Sequence, residues 1–242
     1  MEKLKQILLE NHLAFLATHR GQVRNEGHAL FVESDKPEFT YAILGSSSTR
    51  ANLPSSVKMV QRLPWSQISE GDLIEAGFVA AINYSYMILG EPFSKWRNHD
   101  DLSIERVVDV AHMEAFSEVQ SRGFIESQNE YDSWHPWLRA ANHRNLKNPN
   151  QSFYIGRLGS QAVGVVLTVI EGESAGICAV ATLPAFRKSG ISTTIMEKAI
   201  LDARAQGCKI ITLQVRQDSY VEDFYRHLGF QRIFTTTLYK RN

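Results

Sequence analysis

The stretch Arg187-Lys188-Ser189-Gly190-Ile191-Ser192 constrains this chain most, because of what stands on either side of it. An apolar run, Ile177 to Leu183, precedes it, and apolar residues at Ile191, Ile195, Met196, Ile200 and Leu201 follow at helical spacing. The pattern predicts a strand, a tight turn and a helix. Gly190 lets backbone come close to a ligand, and Ser189, Ser192 and Thr193 supply small hydroxyls at the positive end of the helix. Unpaired N–H groups at a helix start converge on an anion, and Arg187 and Lys188 add charge at the rim. A phosphate-bearing ligand is one reading; an ordinary strand-to-helix connection is the other. The turn is neither a Walker loop, which needs Gly-x-x-x-x-Gly-Lys, nor a dinucleotide fingerprint with spaced glycines.

The turn resembles the Arg/Gln-x-x-Gly-x-Gly/Ala signature of the GNAT acyl-CoA-dependent N-acetyltransferases, with Ser192 in the last position. Further on, the run from Asp218 to Tyr225, Gly229 and Phe230 is similar to that family's Asn-x-x-Ala-x-x-x-Tyr-x-x-x-Gly-Phe segment, with Asp218 for Asn and Val221 for Ala. The resemblance extends from near Leu102 to the end of the chain. It implies that the amides of Arg187, Lys188, Ser189, Gly190, Ile191, Ser192 and Thr193 hold the pyrophosphate of coenzyme A. It implies also that the backbone at Val180 and Thr182 pairs with the pantetheine arm, and that Tyr225 gives a proton to the departing thiolate. A phenol holds its proton at neutral pH, as that task requires; a buried aromatic on an amphipathic helix is the plainer role for Tyr225. Asp218 is expected at the coenzyme or, more simply, as the cap of the following helix.

Lysine plus arginine and aspartate plus glutamate are balanced at 26 each, so no net field recruits nucleic acid or an anionic membrane. With 43% hydrophobic residues and no apolar run near the ~18 that a membrane span needs, a soluble globular protein is expected. Charges run through the first ten residues, which a signal peptide would keep apolar, and the expected location is the cytoplasm. The two cysteines, Cys178 and Cys208, form no C-x-x-C pair, so neither a disulfide framework nor a thiolate metal site is expected.

Along the chain, residues 3–17 read as an amphipathic helix carrying Leu4, Ile7, Leu8 and Phe15, and Gly21 to Gly27 as a loop. Ala29 to Val32 and Phe39 to Leu44 read as a hairpin through Asp35-Lys36-Pro37. Gly45 to Ser48 and Pro54 read as loop, Val57 to Leu63 as a short helix stopped by Pro64, Asp72 to Ala76 as a helix ended by Gly77, and Phe78 to Leu89 as a long strand. Leu73 to Gly77 and Phe78, with the strand after them, weakly repeat Tyr225 to Gly229 and Phe230 with theirs. This half is similar to the degenerate N-terminal half of tandem acetyltransferases; an unrelated small domain is the alternative. The polar stretch from Gly90 to Asp101, with Pro92, separates the halves. The boundary is set near 98, giving an N-terminal α/β domain at 1–98 and a GNAT domain at 99–242. Leu102 to Val110, Phe153 to Ile155, Ala162 to Ile170, Ala175 to Thr182 and Ile210 to Val215 read as strands, His112 to Phe124 and Tyr131 to Asn142 as helices. The expected fold class is α/β (α+β): a mixed, mostly antiparallel central sheet flanked by helices, the GNAT fold, with an N-terminal α/β GNAT-like half.

What the resemblance implies is transfer of an acetyl group from acetyl-CoA to a primary amine by direct attack in a ternary complex, with coenzyme A as the only cofactor and no metal. The expected acceptor is a small-molecule, amino-acid or peptide amine; nucleic acid and membrane are not expected partners, and a homodimer stays open. Ser174 to Thr182 contains no acid to serve as general base. Glu171 and Glu173 at the preceding hairpin, Glu126 in the first helical region, and His135 and His143 on or after the second helix are the alternatives, each more simply a surface group, and Trp134 and Trp137 are more simply core than acceptor pocket. An acyl-CoA-binding regulatory module, or a transferase for a longer acyl-CoA, are the competing readings.

Overall fold

Helix α1 (Glu2–His19) turns Leu8, Leu9 and Leu16 inward together with Asn11 and His19. Gly21 follows it, and a Cβ there would lie 1.9 Å from the Glu33 carbonyl oxygen. Only glycine fits. That fit lets β1 (Gln22–Asn25) lie antiparallel on β2 (Leu30–Glu33), where a loop is expected from sequence. A turn through Pro37–Phe39 leads to β3 (Tyr41–Leu44), antiparallel to β2, so the hairpin is formed. β4 (Met59–Arg62) corrects the helix expected over Val57 to Leu63. It runs parallel to β3 and antiparallel to the last strand, burying successive residues Val60 and Gln61 on opposite faces. Sheet pairing on both edges overrides local helix propensity here. α2 (Glu70–Glu75) starts on a Ser69–Asp72 capping box and ends at Gly77 with φ +83, and β5 (Phe78–Leu89) follows as expected.

A computed structural model describes residues 2–27, 29–47, 53, 54, 56–90, 96 and 99–241. Ser48 of the expected loop, and most of the polar stretch that carries the boundary near 98, lie outside the described residues. β6 (Leu102–Arg106) stops short of Val110 because the Asp109 carboxylate accepts from His112 N–H at 2.8 Å and opens α3 (Val110–Phe124). α4 (Gln128–Arg144) is capped by Ser127. β7 (Gln151–Leu158), β8 (Gln161–Glu171) and β9 (Ser174–Thr182) form an antiparallel meander whose turns hold Gly159 and Gly172 at φ +57 and +56. α5 (Ile191–Ala205) leads to β10 (Ile210–Arg216), then come α6 (Tyr220–His227) and β11 (Phe230–Arg241). From β6 onward the order is β-α-α-β-β-β-α-β-α-β, as expected.

Packing divides the chain into two units, Met1–Glu91 with Leu213–Asn242, and Pro92–Thr212. In the second, the start of β10 lies parallel to β9, and β8, β7 and β6 follow antiparallel. α5 lies close on this sheet because a Cβ at Gly164 or Gly156 would meet Ile191 Cγ2 at 2.6 Å or Ile195 Cδ1 at 2.7 Å. In the first unit the strand order is β1-β2-β3-β4-β11-β5. β5 and β11 pair reciprocally, Phe78 with Arg241 and Phe230 with Leu89, so each strand begins opposite the other's end. Among the described residues no helix is long and apolar enough to cross a membrane.

Candidate active site

In the unit Pro92–Thr212, β9 is paired along its whole length only on the β8 side. Its ladder with β10 covers Ser174 to Gly176 and ends at the pair Thr212–Gly176. Within this unit and among the described residues, Ile177 to Thr182 have no ladder on the side away from β8, an edge that can accept an extended amide-bearing chain. On the β8 side the register jumps from Leu167–Cys178 to Val165–Ala181, so β9 carries one extra residue in a bulge at Ala179 and Val180. Ala179 takes φ +50, a conformation rare for a side chain with Cβ. Val180 and Thr182 are half-buried on this segment, and the Thr182 hydroxyl is buried without a hydrogen-bond partner among the described residues.

The turn after β9 is built from two left-handed residues, Lys188 at φ +63 and Gly190 at φ +89. Gly190 opens α5 with no side-chain cap, and the first intrahelical bond is Thr194 N–H to the Gly190 carbonyl at 3.0 Å. The N–H groups of Ile191, Ser192 and Thr193 therefore have no acceptor inside the helix, and they point toward the turn. Together with the helix dipole they make an anion cradle. The side chains serve differently from expectation. Ser189 Oγ donates to the Phe186 carbonyl at 2.6 Å, which leaves its N–H rather than its hydroxyl for a ligand. Arg187 donates from Nη2 to the Gly123 carbonyl at 2.9 Å and from Nε to the Thr182 carbonyl at 3.4 Å, tying the end of α3 to the end of β9. Gly123 must be small, since its Cβ would lie 2.8 Å from that of Ala181. Ile191 is buried and Ser192 is half-buried, while Lys188 is exposed.

The other candidates belong to the unit that contains Leu213–Asn242. Tyr225 on α6 is 7% exposed, its ring 5.7 Å from Phe230 and 5.2 Å from Phe224. The helix is capped by Ser219, whose hydroxyl accepts from Glu222 N–H at 3.2 Å, which corrects the expected cap at Asp218. Asp218 stands at φ +53, a backbone state that aims its own N–H at Glu222 Oε2, 2.7 Å away, and leaves its carboxylate on Arg232 Nη2 at 3.1 Å. Glu222 is fully buried and receives Arg232 Nε at 2.8 Å and Nη2 at 2.7 Å. Burial pushes its carboxyl upward, but the hydrogen bonds from Arg232 and from Asp218 N–H hold it below the ordinary carboxylate range. This pair ties α6 to β11.

Replacing Glu222 with Ala is expected to cost ~3 kcal/mol or more, because a guanidinium is left facing a buried gap. Thermal unfolding reads it. Since the folded carboxyl titrates low, its contribution is complete above the unfolded value near ~4.3 and is lost as pH falls through the folded value. The variant should therefore lose the acid arm of the parent's stability profile; a melting temperature equal to the parent's at pH 7 would contradict the role.

None of the expected base candidates enters β9. Glu171 is exposed, Glu173 pairs with Lys209 at 3.4 Å, and Glu126 lies exposed just beyond α3 rather than within it. His135 Nδ1 lies 2.9 Å from Ser121 Oγ with its ring stacked 4.7 Å from Tyr131, and His143 Nε2 lies 3.2 Å from Glu114. Trp134 and Trp137 meet edge-on at 6.1 Å and stay part-exposed. The bulge at Ala179 and the buried Glu222 lie outside the sequence reading. Glu222 has a visible signal, the Ser219-x-x-Glu222 capping pattern; the bulge has none beyond a run of small residues.

Residues 113–230 match the sequence model described as the acetyltransferase (GNAT) family. No curated protein sequence matches the chain. Among solved structures, a GCN5-related N-acetyltransferase from Kribbella flavida is similar with a TM-score of 0.71 and 13% identity, over 98% of this chain and 94% of that one. A functionally unknown conserved protein from Staphylococcus epidermidis is similar with a TM-score of 0.66 and 16% identity, over 90% and 93% of the two chains. A putative GNAT-family acetyltransferase from Novosphingobium aromaticivorans gives 0.57 and 13%, over 91% of each. At such identities the likeness is one of fold, and it extends over nearly the whole chain, the N-terminal α/β half included.

Proposed function

We propose, since residues 113–230 match the acetyltransferase (GNAT) family, that the chain transfers an acetyl group from acetyl-CoA to a primary amine of a small molecule, amino acid or peptide. The observation that carries this reading is the sequence of an open strand edge, a bulge and an uncapped helix start from Ile177 to Thr193. An open edge suits the amides of pantetheine, and the cradle suits the pyrophosphate. In this reading Val180 and Thr182 act through their backbone. Lys188, Ser189, Gly190, Ile191, Ser192 and Thr193 offer N–H groups, and Arg187 holds the cradle against α3. Asp218 acts through Arg232 and Glu222 rather than at the coenzyme. The division into an N-terminal α/β domain at 1–98 and a GNAT domain at 99–242 is kept as part of this proposal, whereas packing groups Leu213–Asn242 with the first unit.

The chemistry needs a neutral amine, a polarised carbonyl and a proton for sulfur. The amine nitrogen attacks the thioester carbonyl, the C–S bond breaks, and Tyr225 supplies the proton that the thiolate takes. The acceptor's surplus proton passes to water, because β9 offers no carboxylate, and the Tyr225 phenolate regains its proton from solvent. That missing carboxylate is also what favours the second reading, a regulatory module that binds acyl-CoA without efficient turnover.

Thiol release from acetyl-CoA across a panel of amines, amino acids and short peptides decides between them. Release that depends on the amine supports the transferase. Coenzyme binding with no release for any acceptor would assign the chain to the regulatory class.

A further inference from the structure

A polar cluster in the unit Met1–Glu91 with Leu213–Asn242 is used neither by the coenzyme turn nor by Tyr225. His12 of α1 has Nδ1 2.9 Å from Oε1 of Gln214 on β10, and its ring meets Tyr86 edge-on at 5.5 Å. Tyr86 is fully buried, with its hydroxyl taking a hydrogen bond from Gln61 Nε2 at 3.0 Å and its ring stacked on Phe234 at 4.4 Å. Burial lowers His12 to about 4, the Gln214 bond opposing and Arg20 adding to the fall, so at neutral pH the imidazole is uncharged. With Nδ1–H donated to Gln214, Nε2 carries a lone pair.

Two observations show that the cluster is incomplete as it stands. Gln214 Nε2 is buried and has no hydrogen-bond partner among the described residues. Such a donor carries its desolvation penalty in full unless something accepts from it. The cations that act on the cluster's rings are Arg20, on His12, Tyr41 and Tyr84, and Arg216, on Tyr84. An orphan N–H in a positive field wants an anion's oxygen. His12, Tyr84 and Gln214 are each part-exposed, while Gln214 Nε2 itself is buried, so a ligand meets that N–H once the Gln214 side chain shifts outward.

We propose that this cluster binds a small carboxylate with an apolar body, one oxygen accepting from Gln214 Nε2 and the body lying against the rings of His12 and Tyr84. No residue in it belongs to the coenzyme cradle, so the proposal stands apart from the acetyl-transfer reading.

The matched probes are benzoate, benzamide and benzylammonium, titrated into the full chain without coenzyme while the His12 ring C–H resonance is followed by NMR. Benzoate should bind best of the three and raise the His12 pKa, so that its affinity grows as pH falls from 7. Gln214→Leu should weaken benzoate by about tenfold or more, the loss of one hydrogen bond to a charged group, with the melting temperature kept. Gln214→Met serves equally should the leucine variant fold poorly. Benzylammonium binding as well as benzoate would mean that the amide presents its oxygen and would overturn the proposal. So would benzoate affinity unchanged in both variants, or a His12 resonance that none of the probes moves.

Discussion

Tyr225→Phe is expected to lower turnover with any accepted amine by ~10² to 10⁴, the usual worth of a positioned acid, while leaving acetyl-CoA affinity nearly unchanged. The difference follows from timing. In the proposed reaction the hydroxyl gives its proton to sulfur only as the C–S bond breaks, so its loss would be felt in the transition state and little in the ground state. The substitution keeps the ring, and the packing of Tyr225 against Phe224 and Phe230 is ring packing. α6 is held independently through Glu222 and Arg232, so the helix should stay in place. Loss of an ordinary neutral hydrogen bond would cost ~0.5 to 1.5 kcal/mol, a factor of about 2 to 13. Steady-state kinetics separates the two ranges. A fall below about tenfold would make Tyr225 a structural aromatic and leave protonation of the thiolate to solvent.

Gly190→Val is expected to weaken coenzyme A by about a hundredfold or more while lowering the melting temperature only slightly. Gly190 sits at φ +89, where a β-branched residue is strained, and it is the residue from which α5 starts. To relieve that strain the turn must rotate, and the N–H groups of Ile191, Ser192 and Thr193 lose their common aim. Several charge-assisted hydrogen bonds at ~1.5 to 3 kcal/mol each are then at risk, which is where the hundredfold comes from. The fold has less at stake, since α5 is anchored by Ile191, Ile195 and Ile200 within the core. Calorimetric titration reads the effect. Parent-like affinity in a folded variant would place the phosphate elsewhere.

The elements that are legible in the sequence are those whose signal is local. β5 and β8 are long apolar runs, the turns at Gly159, Gly172 and Gly77 need left-handed backbone, and the cradle announces itself through Gly190 after an apolar run. What escapes is set by partners far along the chain. β4 is a strand because β3 and β11 flank it, and β11 comes about 180 residues later, as the pairing Tyr239–Val60 shows. β1 exists because Gly21 can touch the Glu33 carbonyl. The packing division places Leu213–Asn242 with the first unit for the same reason: β11 lies between β4 and β5. In the candidate site the amides could be anticipated, since they follow from a helix start. The roles of Arg187, Ser189 and Asp218 could not, because each side chain is turned to a carbonyl or a cation that the sequence does not name.

Thermal unfolding of the full chain with and without acetyl-CoA tests the central claim most directly, for it needs no acceptor and no turnover. Ligand at ~100 times its dissociation constant should stabilise the fold by about 2.7 kcal/mol, and Gly190→Val should cut this to about 0.4 kcal/mol or less while Tyr225→Phe keeps it. An unchanged melting temperature of the parent at millimolar acetyl-CoA would contradict the account, because the open edge of β9 and the uncapped start of α5 would then hold no coenzyme.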